Sequence, residues 1–235
     1  MLPEIKNVNE YAPLDEPRTV RLRFCKKGAL QYISHLDLQR TFVRILARAE
    51  LPLWYTQGFN PHPKLVFALP LQLGTQSECE LVDIKLVRDM PCDDLLKRLS
   101  LATTAELDFT DAYVPNTKFA DIAAAEYEFL IECDNAEKMS ESISVVLTTS
   151  PLTVTKKSKS GDKEIDIIPL IRKVEVTAED GACRILATVA AGSNENLSPE
   201  LLVEALRKRL ILLRGGEEYS ILRRKLLKAD LSEFR

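Results

Sequence analysis

The sequence SHLDLQRTFVRILARAE, residues 34–50, predicts an amphipathic helix because its apolar residues recur every three or four positions. Placed at 100° per residue, these apolar residues share one face. They are Leu38, Phe42, Ile45, Leu46 and Ala49. The opposite face carries Asp37 and an arginine row, defined as Arg40, Arg44 and Arg48. We therefore expect the first face to be buried and the arginine row to be exposed.

The first turn of this helix combines a cap with a histidine. Ser34 can cap the helix N-terminus, and Asp37, three residues later, can return a hydrogen bond. His35 lies among backbone N–H groups that have no partner within the helix, where the helix dipole favours anions. Two roles for His35 follow, a ligand for a phosphate or simple packing at the helix start.

The sequence QGFNPHPK, residues 57–64, predicts a rigid loop after the helix. Gly58 permits unusual backbone angles, while two prolines fix their own φ and restrict the residues before them, Asn60 and His62. A connector that only turned the chain would not need a histidine between two prolines. The loop therefore indicates a binding role.

Three aromatic residues accompany this loop and could stack on a base or an adenine ring. They are Phe59, Trp54 and Tyr55, although core packing is the more ordinary role of Trp54. Gln57 and Lys64, at the two ends of the loop, complete the set of candidate ligand-binding residues.

The periodicity of the chain predicts the same order of elements twice. The first half is predicted to contain strand 20–24, helix 34–50, strands 64–71 and 80–87, helix 92–104 and strand 107–114. The second half is predicted to contain strand 126–132, helix 136–148, strands 152–157 and 183–190, helix 198–213 and strand 219–226. This β-α-β-β-α-β order predicts an α+β fold of tandem ferredoxin-like modules with antiparallel sheets.

The domain boundaries follow from this order. We predict an N-terminal extension at residues 1–17, a first module at residues 18–115 and a second module at residues 125–228. A hairpin insertion is expected near residues 156–176 of the second module. Its tip, residues 156–163, is predicted to be mobile, and residues 172–176 are predicted to form an additional strand.

Composition limits the class of protein. With 235 residues and 46% hydrophobic content, the chain can bury a substantial core. No apolar run approaches the length of about 20 residues that a membrane helix needs, and the N-terminal residues are acidic where a signal peptide is basic. The five cysteines are widely spaced, so no disulfide framework or zinc motif is predicted. We expect a globular, cytoplasmic protein that does not bind membranes.

Charge is divided unevenly along the chain. Residues 17–75 contain nine Lys and Arg against two acidic residues, whereas residues 76–150 contain six against sixteen. Residues 205–228 contain eight Lys and Arg against two acidic residues. A charged run is often only a solvated surface. Two basic blocks, residues 17–75 and 205–228, around an acidic middle nonetheless indicate a surface that binds a polyanion.

At these motifs the chain resembles the radical SAM-linked proteins, a family of unknown function encoded beside or fused to a radical S-adenosylmethionine (SAM) enzyme. The resemblance is carried by Lys27-Gly28, Ser34-His35-Leu36-Asp37-Leu38 with Arg40, Leu51-Pro52, residues 57–63, and Ala68-Leu69-Pro70-Leu71 before Gly74. Weaker similarity at residues 164–169 extends it over residues 18–228. The resemblance implies a partner enzyme for this chain, and no reaction.

The cofactors of such a pair are expected in the partner only. Radical SAM enzymes bind their iron–sulfur cluster through three closely spaced cysteines, and this sequence has no such set. We therefore expect no cofactor in this chain, with the iron–sulfur cluster and SAM bound by the partner enzyme.

Three functions fit the sequence. The first is an accessory protein that binds RNA, through the arginine row and the loop, for a separately encoded radical SAM enzyme. The second is a metal-independent enzyme that cleaves or modifies RNA, with His35 and His62 as acid and base and Asp37 as a further catalytic candidate. The third is an adaptor whose arginine row binds an acidic surface of the radical SAM enzyme. A metal site of His35, Asp37 and His62 would use a recognised ligand set, but Asp37 faces the arginine row.

Overall fold

The chain folds into two compact units, which are described separately. Unit 1 comprises Met1–Phe119 together with Arg235, and unit 2 comprises Ala120–Phe234. The computed structural model describes residues 6–149, 151–156, 161–192, 195–210, 213 and 218–235.

Unit 1 is an antiparallel sheet with two helices. Strand β3 pairs with β1 on one side and with the short β2 on the other, and β1 also pairs with β4, which gives the order β4-β1-β3-β2. The elements in chain order are β1 (Pro13–Lys26), α1 (His35–Arg48), β2 (Val66–Phe67), β3 (Thr75–Arg88), α2 (Cys92–Ala102) and β4 (Phe109–Tyr113).

The core of unit 1 confirms the predicted apolar face of α1. All five predicted residues of that face are buried, at 0–7% exposure. Phe42 lies at the centre of an aromatic cluster, with its ring centroid 4.7 Å from that of Phe24, 5.2 Å from Phe67 and 5.5 Å from Phe109. This cluster fastens α1 to strands β1, β2 and β4, and thereby positions the helix start and the arginine row.

Two elements of unit 1 differ from the sequence prediction. Strand β1 begins at Pro13, so it includes part of the predicted N-terminal extension, and the buried Tyr11 donates a hydrogen bond to Asp94 at 3.0 Å. Strand β2 has two residues, whereas the pattern predicts a strand at 64–71. The strand stops early because Pro70 cannot donate a hydrogen bond to a neighbouring strand.

The burial of Arg21 departs from the predicted alternation of buried and exposed residues in β1. Its neighbours Val20 and Leu22 are buried as predicted, but Arg21 is also only 1% exposed. Its Nε and Nη2 donate to both carboxylate oxygens of Asp83 at 2.7 and 3.0 Å, and its Nη1 donates to Thr117 Oγ1 at 2.8 Å. The guanidinium also lies 4.1 Å from the centroid of the Phe119 ring. Arg21 is therefore internal, because an acidic cross-strand partner and residues 117–119 cover it.

The main strands of unit 2 pair antiparallel in the order β10-β5-β9-β8. A separate two-stranded sheet is formed by β6 and β7. The elements in chain order are β5 (Ala124–Glu132), α3 (Ala136–Thr148), β6 (Thr153–Lys156), β7 (Lys163–Asp166), β8 (Ile171–Glu179), β9 (Ala182–Ala190), α4 (Pro199–Arg209) and β10 (Tyr219–Leu227).

The roles of two strands in unit 2 are exchanged relative to the prediction. The segment predicted as sheet strand 152–157 forms β6 of the separate hairpin, and the edge of the main sheet is β8, which was predicted only as an additional strand of the insertion. Asp166 holds the hairpin base, since its Oδ1 accepts from the backbone N–H of Leu152 at 2.9 Å and of Ile168 at 3.1 Å. Residues 157–160 of the predicted mobile tip lie outside the described residues.

The α+β class is confirmed. The part of the chain that the structure describes contains four α-helices and antiparallel sheets. Within that part, no helix is both long and apolar enough to cross a bilayer. All five cysteines are free thiols, of which Cys79 and Cys183 are buried.

Candidate functional site

The start of α1 is fixed by the predicted cap. Ser34 Oγ accepts a hydrogen bond from the backbone N–H of Asp37 at 3.1 Å and donates one to Asp37 Oδ2 at 2.7 Å. Asp37 Oδ1 in turn accepts from Arg40 Nη1 at 3.0 Å. These bonds to the ionised carboxylate, first from Ser34 and then from Arg40, lower the pKa of Asp37 from its ordinary value of 3.8.

The lowered pKa of Asp37 predicts a pH dependence. The stability that its charge contributes should be present above the ordinary pKa and lost as pH falls through the depressed pKa of the folded state. We expect Asp37→Asn to destabilise unit 1 at pH 7, with the difference from wild type shrinking as pH falls below the ordinary pKa of 3.8 and through the depressed pKa of the folded state. Urea unfolding of both proteins between pH 2 and 7 measures this. A difference that does not change with pH would contradict it.

The arginine row is exposed along its whole length, as predicted. Arg40 forms an ion pair with Asp37, while Arg44 and Arg48 have no side-chain partner among the described residues. Two apolar side chains, Leu36 and Val43, lie beside the row and are 55% and 37% exposed. The outward face of α1 is therefore part basic and part apolar, and its charges are available to a ligand.

Most basic residues of the first basic block are paired or buried within unit 1. Arg18 pairs with Asp89 at 2.5 Å and Lys27 with Glu78 at 2.7 Å, in addition to the buried Arg21. Only Lys64, apart from the arginine row, is both basic and exposed in this block. The polyanion surface predicted from residues 17–75 is thus reduced to α1 and the end of the loop.

In the second basic block, each basic side chain from 207 to 225 that the structure describes is buried or already has a partner. Lys208 pairs with Glu204 at 2.8 Å, and Arg207 lies 4.7 Å from the centroid of the Tyr219 ring. The remaining members are Arg209, which donates to a backbone carbonyl, Arg223, which is buried, and Arg224 and Lys225, which pair with glutamates of β5. Glutamates thus neutralise Lys208, Arg224 and Lys225, so this block has less unpaired charge than its sequence predicts.

The loop after α1 is closed at its base. A β-bridge joins Tyr55 to Pro63, and the Thr56 N–H donates to the His62 carbonyl at 2.9 Å. Within the loop, His62 Nδ1 lies 3.0 Å from the Asn60 carbonyl oxygen, and the His62 N–H donates to Thr56 Oγ1 at 3.2 Å. These hydrogen bonds, in addition to the prolines, support the predicted rigidity of the loop.

The three aromatic residues near the loop differ in accessibility. Phe59 is fully exposed, with a relative exposure of 113%, and Tyr55 is 45% exposed. Trp54 is half-buried, and Lys85 Nζ lies 5.5 Å from the centroid of its ring. Phe59 is thus the accessible stacking surface, whereas Trp54 already has a partner. Gln57, Gly58 and Asn60 surround Phe59 and are also exposed.

His35 borders a small cavity at the start of α1. Its Nε2 lies 3.1 Å from Gln39 Nε2, and its ring meets the ring of Phe67 edge-on at 5.2 Å. The cavity measures about 10 Å³, enough for about one water molecule, and Lys26, Glu80 and residues 69–71 also line it. Two motif segments that are distant in sequence, residues 34–38 and 68–71, therefore meet at one place in unit 1.

Sequence reasoning missed Lys26 and Glu80, which are 1% and 6% exposed. Lys26 Nζ donates to the Gln31 carbonyl at 3.3 Å. A sequence signal could have found only Lys26, because the position of Glu80 depends on the strand register. Lys26 has the same strand parity as Phe24, and Glu80 lies directly opposite Phe24 in the β1–β3 register. Both therefore fall on the core side of the sheet.

The structure does not bring the proposed metal ligands together. Among the described residues, no group of three or more His, Cys, Asp or Glu side chains is placed to hold a metal ion. His35 contacts Gln39 and Phe67, whereas His62 contacts residues of its own loop. The acid–base hypothesis for the two histidines stays a prediction.

A larger cavity of about 820 Å³ lies in unit 2, away from every motif discussed above. Its charged lining includes the Arg172–Glu195 ion pair, at 2.6 Å, together with Lys228 and Asp230. Asp121 lines the cavity as well, so three acidic residues face two basic ones, and the cavity does not suit a polyanion. We therefore place the candidate site in unit 1.

Comparison with known proteins gives a family and no activity. No curated protein matches the chain. Among solved structures, the chain is similar to an unknown protein from Galdieria sulphuraria, with 12% identity over 88% of this chain and 99% of that chain and a TM-score of 0.25. The model of the family described as uncharacterized protein conserved in bacteria (DUF2344) matches residues 19–199, and the chain therefore belongs to that family.

Proposed function

We propose that this chain is a cytoplasmic accessory protein that binds RNA for a separately encoded radical SAM enzyme. The observation that carries the proposal is the exposed arginine row on a helix whose opposite face is locked into the core. Successive arginines are four residues apart, about 6 Å along the helix axis. A row of bidentate donors at this spacing suits a chain of phosphates.

The architecture gives the proposal a second support. The orders β4-β1-β3-β2 and β10-β5-β9-β8 follow one pattern, and we propose that the units are tandem ferredoxin-like modules with unit 2 enlarged by the β6–β7 hairpin. Duplicated modules of this kind occur in RNA-processing and RNA-modifying proteins. This is an analogy of fold, so it carries less weight than the arginine row.

The division of labour follows from the chemistry of the residues. In this proposal, the arginine row and Lys64 neutralise phosphates, and the loop 57–64 contacts the nucleotides. The radical SAM partner supplies the iron–sulfur cluster, SAM and the reaction. His35 and His62 then serve binding rather than proton transfer.

Removing the arginine row is predicted to weaken RNA binding and its salt dependence together. Each lost phosphate contact should reduce the slope of log affinity against log salt concentration by about 0.7 to 0.9. The double variant Arg40→Ala with Arg44→Ala should therefore flatten the slope by about 1.4 to 1.8. Fluorescence anisotropy with a labelled RNA between 50 and 300 mM salt measures both quantities.

The matched control is Lys97→Ala with Lys138→Ala, which removes the same charge from exposed positions on α2 and α3. This variant should bind RNA like wild type. Unchanged affinity and slope in the arginine variant, with a wild-type circular dichroism spectrum, would contradict RNA binding by the row. It would favour the adaptor, for which the exposed Leu36 and Val43 beside the row provide an apolar contact.

A further inference from the structure

The loop between Tyr55 and Pro63 presents a single aromatic ring on a fixed support. Phe59 is fully exposed, and Gly58 before it has φ +134° with open space where a Cβ would stand. The bridge at the loop base and the buried Pro63 hold the ends in place. The backbone at the base of the loop is therefore ordered before a ligand binds, which leaves the rotamer of Phe59 as the main ordering cost of stacking.

The hydrogen bonding of His62 sets which of its ring nitrogens can serve a ligand. His62 Nδ1 lies 3.0 Å from the Asn60 carbonyl oxygen, which can only accept, and 3.2 Å from the Thr56 hydroxyl, which can donate or accept. We assign the ring proton to Nδ1, because only that tautomer satisfies the contact with Asn60. In the neutral ring, Nε2 then carries the lone pair and can only accept. Because His62 is exposed, the loop offers this acceptor three residues from the aromatic platform.

The surroundings of Phe59 favour a nucleotide over a protein. A protein hot spot is an apolar centre ringed by further packed side chains. The exposed residues near Phe59 in the loop are instead mostly polar, namely Gln57, Asn60, His62 and Lys64, and Pro61 is the one apolar side chain among them. One ring with polar groups and a positive charge nearby matches the base, ribose and phosphate of a single nucleotide.

We infer that the loop 56–64 binds one unpaired ribonucleotide, with the base stacked on Phe59 and the ribose 2′-hydroxyl donating to His62 Nε2. This inference rests on the proposed RNA binding and names the kind of RNA. In a duplex, both faces of a base are covered by its neighbours, so only an unpaired base can reach the ring. DNA lacks the 2′-hydroxyl, so the His62 contact selects RNA.

The test uses the full chain and a single-stranded RNA that carries the fluorescent base 2-aminopurine at its centre. Wild type should bind this RNA more tightly than its duplex form and quench its fluorescence. Phe59→Ala should weaken single-strand binding by about 5- to 150-fold and remove the quenching. The matched control is Leu101→Ala, which truncates an exposed apolar residue on α2 and should change neither.

The contact with the 2′-hydroxyl is tested by changing the RNA instead of the protein. Replacing the 2-aminopurine ribose by 2′-deoxyribose should weaken binding to wild type by about 2- to 10-fold. The same replacement should not weaken RNA binding any further in the His62→Ala variant. An equal effect of the deoxy substitution in both proteins would overturn the assignment of His62.

Other outcomes would refute either the stacking site or the proposed RNA binding on which it rests. Equal affinity of wild type and Phe59→Ala for the single strand, or a preference of wild type for the duplex, would overturn the stacking site while leaving RNA binding intact. If Phe59→Ala instead loses only capture of the purified radical SAM enzyme, Phe59 contacts protein and the inference is wrong. Failure of wild type to bind any RNA would refute the proposed function, and the inference with it.

Discussion

Arg21→Ala is expected to lower the free energy of unfolding of unit 1 by about 3 to 5 kcal/mol. The substitution removes the guanidinium that binds both oxygens of Asp83 and leaves that carboxylate, 18% exposed, without its countercharge. It also releases Thr117, which accepts from Arg21 through its hydroxyl and its carbonyl. Urea unfolding followed by the fluorescence of Trp54, the single tryptophan of the chain, reports on this unit.

Two variants define the source of the Arg21 effect. Arg44→Ala removes the same side chain from an exposed position without a partner among the described residues, and should change stability by no more than about 0.5 kcal/mol. Arg21→Lys keeps the charge but loses the planar fork, so it should fall between wild type and Arg21→Ala. If Arg21→Ala unfolds at the same urea concentration as Arg44→Ala, the buried ion pair contributes nothing and the expectation fails.

Phe42→Ala should destabilise unit 1 by a similar amount, about 3 to 5 kcal/mol. Phe42 is 0% exposed and contacts three other phenylalanines, so truncation leaves a cavity that rigid strands on one side cannot fill. Because Phe67 touches both Phe42 and His35, the loss should also loosen the start of α1. Urea unfolding measures the stability, and the His35 ring resonances in an NMR spectrum report on the helix start.

The matched control is Phe59→Ala, which removes the same side chain from full exposure. It should leave the unfolding free energy within about 0.5 kcal/mol of wild type. The pair of variants thus separates the structural phenylalanine from the proposed ligand-binding one. A loss below about 1 kcal/mol in Phe42→Ala would show that the core repacks and that the cluster does not fasten α1.

The elements that the sequence predicted best are those with a strong period. Helix α1 (His35–Arg48) and its buried face follow from the spacing of five apolar residues, and β5 and β9 follow from alternation. Strand pairing was harder, because the segments that form β6 and β8 have similar local patterns. Which of them joins the main sheet is decided by contacts between distant residues, which no local pattern contains.

The charged residues of the candidate site could also be predicted from the sequence only in part. The arginine row could be predicted because helical spacing alone places it opposite the core. The buried state of Arg21 could not, since it requires the register that sets Asp83 opposite it and the return of Thr117 to the same place. Net charge along a segment counts such buried or paired residues as though they were free. Fewer basic side chains of residues 17–75 are therefore free to meet a ligand than the sequence predicts.

The closed base of the loop makes its tip a separable part of the protein. Because the Tyr55–Pro63 bridge and the Thr56–His62 hydrogen bond lie below residues 57–60, a change at the tip should not reach the core. Gln57→Cys would place an exposed thiol beside Phe59, while two of the five native thiols are buried and the other three half-buried. A fluorescent reporter attached there would make the chain a sensor of its own ligand.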